Sequence, residues 1–142
     1  MQHFKRTVTW VLLIFIAAAV VTKLRPRTTV FVPDGLCVLF WHAETRCTPC
    51  RKMEELLRKT LQEHKEYKLV ILEYDIFANQ SLARQFDVGT ATIILVERKY
   101  RQNLRIRDLT TEVHQHLPDD TAFTAMLQEE LTAFSAAQER GD

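Results

Sequence analysis

Between Leu36 and Gln62 the chain changes its hydrophobic period once, and two cysteines sit at the change. Leu36-Cys37-Val38-Leu39-Phe40-Trp41 is a continuous apolar run, the pattern of a strand buried on both faces. From Arg51 the apolar residues fall at Met53, Leu56, Leu57 and Leu61, with Arg, Lys and Glu opposite, which is helical spacing. Cys47-Thr48-Pro49-Cys50 stands at the junction of the two. A helix start there aims unpaired N–H groups and the positive end of the helix dipole at the first sulfur, favouring thiolate over thiol. Two intervening residues keep the sulfurs close enough to bond reversibly, so Cys50 can resolve a mixed disulfide made at Cys47. The pattern points to dithiol–disulfide exchange.

The remainder alternates strand and helix signals. Lys68–Tyr74 reads as a second strand, Asn79–Phe86 as a short helix capped by Asn79 or Ser81, and Asp87-Val88-Gly89 as its stop. Thr92–Val96 is a β-branched strand, Glu97–Asn103 a polar connector, and Leu104–Leu109 an alternating, half-exposed strand. Pro118-Asp119-Asp120 opens a last helix with Phe123, Met126, Leu127, Leu131 and Phe134 on one face. Two βα units, an antiparallel hairpin and a closing helix imply an α/β fold with a mixed central sheet flanked by helices. The 19 basic and 18 acidic residues leave a net charge of +1, which gives no reason to invoke nucleic acid. Three cysteines are too few for a disulfide scaffold; they read as a working pair plus Cys37, which lies inside the buried strand as inert packing.

The N-terminus is a separate object. Thr7–Thr22 carries no charge and Val11–Val21 is wholly apolar, with Lys5 and Arg6 before it and Lys23, Arg25 and Arg27 after. As a helix this run covers roughly 24 Å, slightly short of the hydrocarbon core of a bilayer. Trp10 at one end and snorkelling Lys23 and Arg25 at the other make spanning feasible. A cleaved signal peptide is the rival, because Ala17-Ala18-Ala19 offers small residues at cleavage spacing, and a soluble buried helix is the third reading. The chain thus divides into an anchor or signal segment (1–23), a linker leading toward the first strand (24–33), a globular domain (34–138) and a tail (139–142). The expected location is the inner membrane, single-pass, with the domain facing the periplasm, or secretion after cleavage.

The strand ending in Phe40-Trp41, the CxxC that opens a helix, and the β-α-β-β-α remainder resemble thioredoxin over about Val30–Phe134. The resemblance implies a thioredoxin-like fold, Cys47 as attacking nucleophile and Cys50 as resolver. The stretch Phe40–Glu54, with its Arg46-Cys47-Thr48-Pro49-Cys50-Arg51-Lys52 core, is also similar to a narrower group of small bacterial, membrane-anchored thioredoxin-like proteins, often labelled a subunit of a nitroaromatic reductase. That likeness implies pairing with a multi-span membrane protein that passes electrons between dithiols. It implies no cofactor.

Three departures from thioredoxin bear on function. Arg46 stands where thioredoxin has a Trp, and Leu39 where it buries an Asp that assists proton transfer to the resolving thiol. His42 and Glu44 are candidates to replace that Asp, although each reads more readily as a loop residue. Ala91 and Thr92 occupy the neighbourhood of the family's cis-proline, and a cis non-prolyl bond costs about 2.5–4 kcal/mol, so trans geometry is expected. Trp41, Pro49, Ala91 and Thr92 are the expected docking positions. Arg46 and Arg51 add positive charge to the dipole at Cys47, whereas Lys52 reads as a solvated first-turn residue. Pro49 before the second cysteine is what reducing family members carry, which favours a reductant. A structural zinc site lacks its further ligands, and His114 and His116 read as surface residues of a loop or exposed strand. Two thiolates with His42 nearby suit Cu(I), which makes copper delivery the alternative function.

Overall fold

Strand β1 (Gly35–His42) is buried from Leu36 onward, and its alternation serves two cores at once. The computed structural model describes residues 31–45 and 47–139. Leu36, Val38 and Phe40 pack with Met53 and Leu57 of α1 (Thr48–Thr60), Val113 of α3 (Thr110–His116), and Phe123 and Leu127 of α4 (Asp120–Glu139). Cys37, Leu39 and Trp41 point the other way, to Ala83 of α2 (Gln80–Gln85), Phe86, and Ile94 and Val96 of β3 (Thr92–Lys99). That two-sided burial is why the run shows no polar alternation.

The sheet order is β2-β1-β3-β4, where β2 is Lys68–Glu73 and β4 is Gln102–Asp108. Strand β2 lies parallel to β1 with α1 as the crossover, whereas β3 and β4 run antiparallel to their neighbours. This is the thioredoxin-like α/β arrangement, a mixed four-stranded sheet flanked by helices. Residues 1–30, where the anchor or signal and most of the linker were expected, lie outside the described residues. Among the described residues no helix is long and apolar enough to cross a membrane.

Three local readings need correction. Asn79 precedes α2, but its side chain does not cap the helix; Nδ2 donates to the Glu73 carbonyl (2.9 Å) and ties the turn back to β2. The stop expected at Asp87-Val88-Gly89 holds, and Asp87 makes it with a φ of +53°, a conformation that Asp tolerates better than most residues. The connector expected over Glu97–Asn103 shrinks to Tyr100 and Arg101, a two-residue hairpin turn with φ of +53° and +64°. Such turns normally take Asn-Gly, which is why no turn signal was readable. Last, His114 and His116 lie on α3, a helix whose Leu109, Val113 and Leu117 repeat every four residues.

Strand β4 turns its arginines inward. Arg105 stacks 4.5 Å above the Phe134 ring and donates to its carbonyl, and Arg107 bridges Glu130 and Glu112. The Arg107 guanidinium holds the Glu130 carboxyl below the usual carboxylate range. Leu104 and Ile106 are left on the outer face, more than half exposed.

Tyr67 ties α4 to the start of β2: its buried hydroxyl donates to the Leu131 carbonyl at 2.7 Å, and burial pushes its pKa up to about 12. The folded state therefore holds this proton more tightly than the unfolded state, whose tyrosine titrates near 10. The stabilisation is complete below pH 10 and is lost as pH rises toward 12. Denaturant unfolding across this range should show wild type losing roughly 2–3 kcal/mol more than Tyr67→Phe. Parallel pH profiles for the two proteins would refute the assignment.

Candidate functional site

Strand β1 ends at His42, and a loop brings the chain to Cys47, which caps α1. Cys47 has extended backbone geometry, and its sulfur accepts the N–H of Cys50 at 3.4 Å. Pro49 lies in the first turn, where its missing N–H costs nothing. No acidic side chain occupies that turn, so none competes with sulfur for the free N–H groups. Cys47 and Cys50 are joined as a disulfide with Cα atoms 5.2 Å apart, a separation suited to the bond. Their exposures differ: Cys47 is on the surface, and Cys50 is 5% exposed. A partner molecule reaches Cys47 and not Cys50.

The charged residues around the pair divide. Arg46 lies outside the described residues. Arg51 is exposed. Lys52 is more than a solvated first-turn residue, because it forms an ion pair with Asp120 at the head of α4. A cation near a helix N-terminus opposes the dipole; pairing Lys52 with Asp120, a carboxylate that the head of α4 favours, offsets that mismatch.

His42 is the last residue of β1 and 1% exposed, so it is no loop residue. Its ring lies 5.6 Å from Phe40, on the α1-facing side of the sheet. Nδ1 lies 2.6 Å from the Ala43 carbonyl, an acceptor only, so the ring carries its proton on Nδ1. Nε2 is then the basic nitrogen, and it is buried with no protein partner. Glu44 is exposed, and its backbone N–H donates to Asp75 Oδ1 at 2.7 Å, linking the loops that follow β1 and β2. Cys37 is fully buried; its thiol lies 3.2 Å from the Pro33 carbonyl, and burial raises its pKa. It takes no part in the site.

Of the expected docking positions, Trp41 is wholly buried against Phe86 and supports the strand end from beneath. Trp41 and Thr92 are register partners, so the start of β3 lies beside the end of β1. Among the described residues no peptide bond is cis, as expected for Ala91-Thr92. The Thr110 hydroxyl donates to Asp108 Oδ1 (2.6 Å), which leaves the Thr92 hydroxyl to donate to Thr110 (2.7 Å). Ala91 is partly exposed and Pro49 exposed.

Sequence reading missed the other wall of the site. A cleft of about 340 Å³ runs beside the CxxC, lined by Thr48, Pro49 and Lys52 on one side and His114, Leu117 and Pro118 on the other. The four-residue repeat Leu109, Val113, Leu117 is the signal that would have placed His114 on a helix next to α1. Copper delivery fares worse. Among the described residues no three His, Cys, Asp or Glu side chains are grouped to hold a metal ion, so Cys47, Cys50 and His42 do not make the Cu(I) site that their closeness in sequence suggests.

The family model for Thioredoxin matches residues 20–118. No curated protein sequence matches. Among solved structures the chain is similar to mitochondrial thioredoxin 3 of Saccharomyces cerevisiae in its oxidised form (21% identity, 61% of this chain and 79% of that one, TM-score 0.43). It is also similar to Fasciola hepatica thioredoxin (17% identity, 70% and 82%, TM-score 0.47). Trichomonas vaginalis thioredoxin is a third such structure (19% identity, 63% and 79%, TM-score 0.41). With a family match over most of its length and a CxxC pair within bonding reach at the head of a helix, the chain belongs to the thioredoxin family and is a thiol–disulfide oxidoreductase.

Proposed function

We propose that this oxidoreductase is tethered to a membrane by residues 1–23, faces the periplasm, and reduces the disulfide of a dedicated partner protein. The observation that carries the order of attack is the unequal exposure of the two sulfurs: the outer Cys47 attacks and the inner Cys50 resolves. The Cys47 thiolate attacks one sulfur of the partner's disulfide, forming a mixed disulfide and releasing a partner thiolate. Cys50 then gives up its proton and attacks the Cys47 sulfur. The partner leaves as a dithiol and Cys47–Cys50 is oxidised. A dithiol donor must then re-reduce the pair; the resemblance of the Arg46–Lys52 core to small membrane-anchored relatives favours a multi-span membrane electron conduit in that role. Arg46 beside Cys47 supports the thiolate by its charge.

His42 is the residue proposed to receive the Cys50 proton. A buried imidazole with Nδ1 committed to a carbonyl and Nε2 unpartnered is a base held in one tautomer. Glu44, out in solvent, is not. A partner chosen for this protein fits better than promiscuous substrates, because the family's cis-proline is replaced by Thr92 with its hydroxyl already bonded. The docking surface is then Pro49, Ala91 and the cleft toward His114.

Alkylation of Cys47 in the reduced protein should be half-maximal at a pH below the ordinary thiol value of about 8.5. An ordinary thiol titration, with no disulfide formed across a series of redox buffers, would end the oxidoreductase reading. Cys50→Ser should trap the partner on Cys47 as a stable mixed disulfide. In His42→Ala the mixed disulfide should persist about a hundredfold longer at neutral pH, with Cys47 alkylation unchanged. Equal lifetimes in wild type and variant would remove His42 from the mechanism.

A further inference from the structure

The end of the sheet away from the disulfide carries an exposed surface that thiol chemistry does not use. Five large apolar side chains among the described residues are more than half exposed, and four of them belong to one region: Phe31, Tyr100, Leu104 and Ile106. Phe31 leads into β1, Tyr100 tips the β3–β4 hairpin, and Leu104 and Ile106 lie on the outer face of β4. Cations are interleaved with them. The Arg101 guanidinium sits 5.6 Å from the Phe31 ring, and Lys99 Nζ 6.0 Å from the Tyr100 ring.

The region is held as one piece. Arg98 donates to the Val32 carbonyl (2.9 Å) and to the Arg101 carbonyl (2.8 Å), and the Arg101 N–H donates to Asp34 Oδ1 (3.0 Å). Lys68 Nζ donates to the Asp34 carbonyl (2.8 Å), so its charge meets no carboxylate there. The entries to β1 and β2 and the tip of the β3–β4 hairpin carry Lys65, Lys68, Arg98, Lys99 and Arg101 against Asp34, Glu63 and Glu66. Tyr100 and Arg101 hold positive φ in a turn where Asn-Gly would be less strained. Large side chains are kept at that tip at a conformational cost.

We infer that the surface formed by Phe31, Lys68, Lys99, Tyr100, Arg101 and Leu104 is a foot that rests on an anionic lipid surface and holds the Cys47–Cys50 end away from the bilayer. The inference rests on the membrane tether proposed above. Residues 24–30 span at most about 25 Å when fully extended, so a tethered domain keeps its Phe31 end beside the membrane. Aromatic rings interleaved with Lys and Arg match the headgroup layer, where amphipathic rings and cations are both favoured. A second copy is a poorer occupant, because a two-fold interface through this patch sets Lys99 and Arg101 against cations of the same patch. Strand β1, about 26 Å long, separates the foot from the redox end.

The test uses the full chain in a Cys47→Ser/Cys50→Ser background, reconstituted into phosphatidylcholine vesicles with or without phosphatidylglycerol. A fluorophore is placed by Gln102→Cys beside the hairpin tip, or by Gln115→Cys on α3, and the quencher is a lipid with a nitroxide headgroup. The foot predicts strong quenching at position 102 and little at 115 in anionic vesicles, with relief at high salt. The double variant Tyr100→Asn/Arg101→Gly relieves the turn, so it should melt no lower than wild type yet bind anionic vesicles about fivefold more weakly for the cation lost. Flotation with neutral vesicles that survives high salt reports the tether separately. Salt-resistant flotation with equal quenching at the two positions overturns the foot and leaves the tether standing. Binding to anionic vesicles alone, lost in the double variant, keeps the foot and removes the tether. No binding to either vesicle removes both, and contact between position-102 labels on two copies without lipid quenching assigns the surface to self-association and overturns the foot.

Discussion

Everything in this molecule is referred to one strand. β1 is sandwiched between two apolar clusters, with Val38 and Phe40 serving one and Leu39 and Trp41 the other. A segment without an exposed face cannot slip by one residue without moving six apolar side chains to the wrong side. That fixed register is transmitted outward. His42 is sealed because it continues the same strand, the loop that follows is tethered through Glu44 to Asp75, and the cysteine that caps α1 is delivered to one place. Precision at the sulfurs begins as hydrophobic burial several residues upstream.

The site then distributes work by depth. The outer sulfur is exposed, the inner sulfur is buried, and the His42 imidazole lies on the same side of the sheet as Phe40. Thioredoxin reaches its proton transfer with a carboxylate where this chain has Leu39. In the mechanism proposed above, the buried His42 imidazole takes that acceptor's place, so no carboxylate has to be desolvated beneath the sheet. The pairing of Lys52 with Asp120 follows similar economy, since each residue alone is placed near a helix start and together they join α1 to α4.

Much of this was legible before any coordinates. The strand–CxxC–helix junction follows from a change of period at Cys47, and the closing helix from Phe123, Leu127 and Leu131 spaced over one face. Readings failed where tertiary contacts overrode local chemistry. Asn79 looks like a cap until the Glu73 carbonyl claims its side chain. Tyr100-Arg101 carries none of the residues that announce a tight turn, because large side chains are tolerated there against preference. His114 was overlooked as a cleft residue because α3 is only two turns long and its repeat has three members. His42 was undervalued for a different reason: burial at a strand end depends on which helix covers it, and that is a property of the whole fold.

The sealed thiol of Cys37 bears on fidelity. A protein that exchanges sulfur bonds for a living and carries a spare cysteine risks trapping itself in the wrong pairing. Here the third sulfur sits on the face of β1 opposite Phe40 and His42, with no exposed surface and a thiol disposed against ionisation. Mispairing requires pulling out the strand on which both cores rest, so its rate is bounded by complete unfolding and not by local fraying. Kinetic insulation of this kind lets the odd thiol share a chain with an active disulfide.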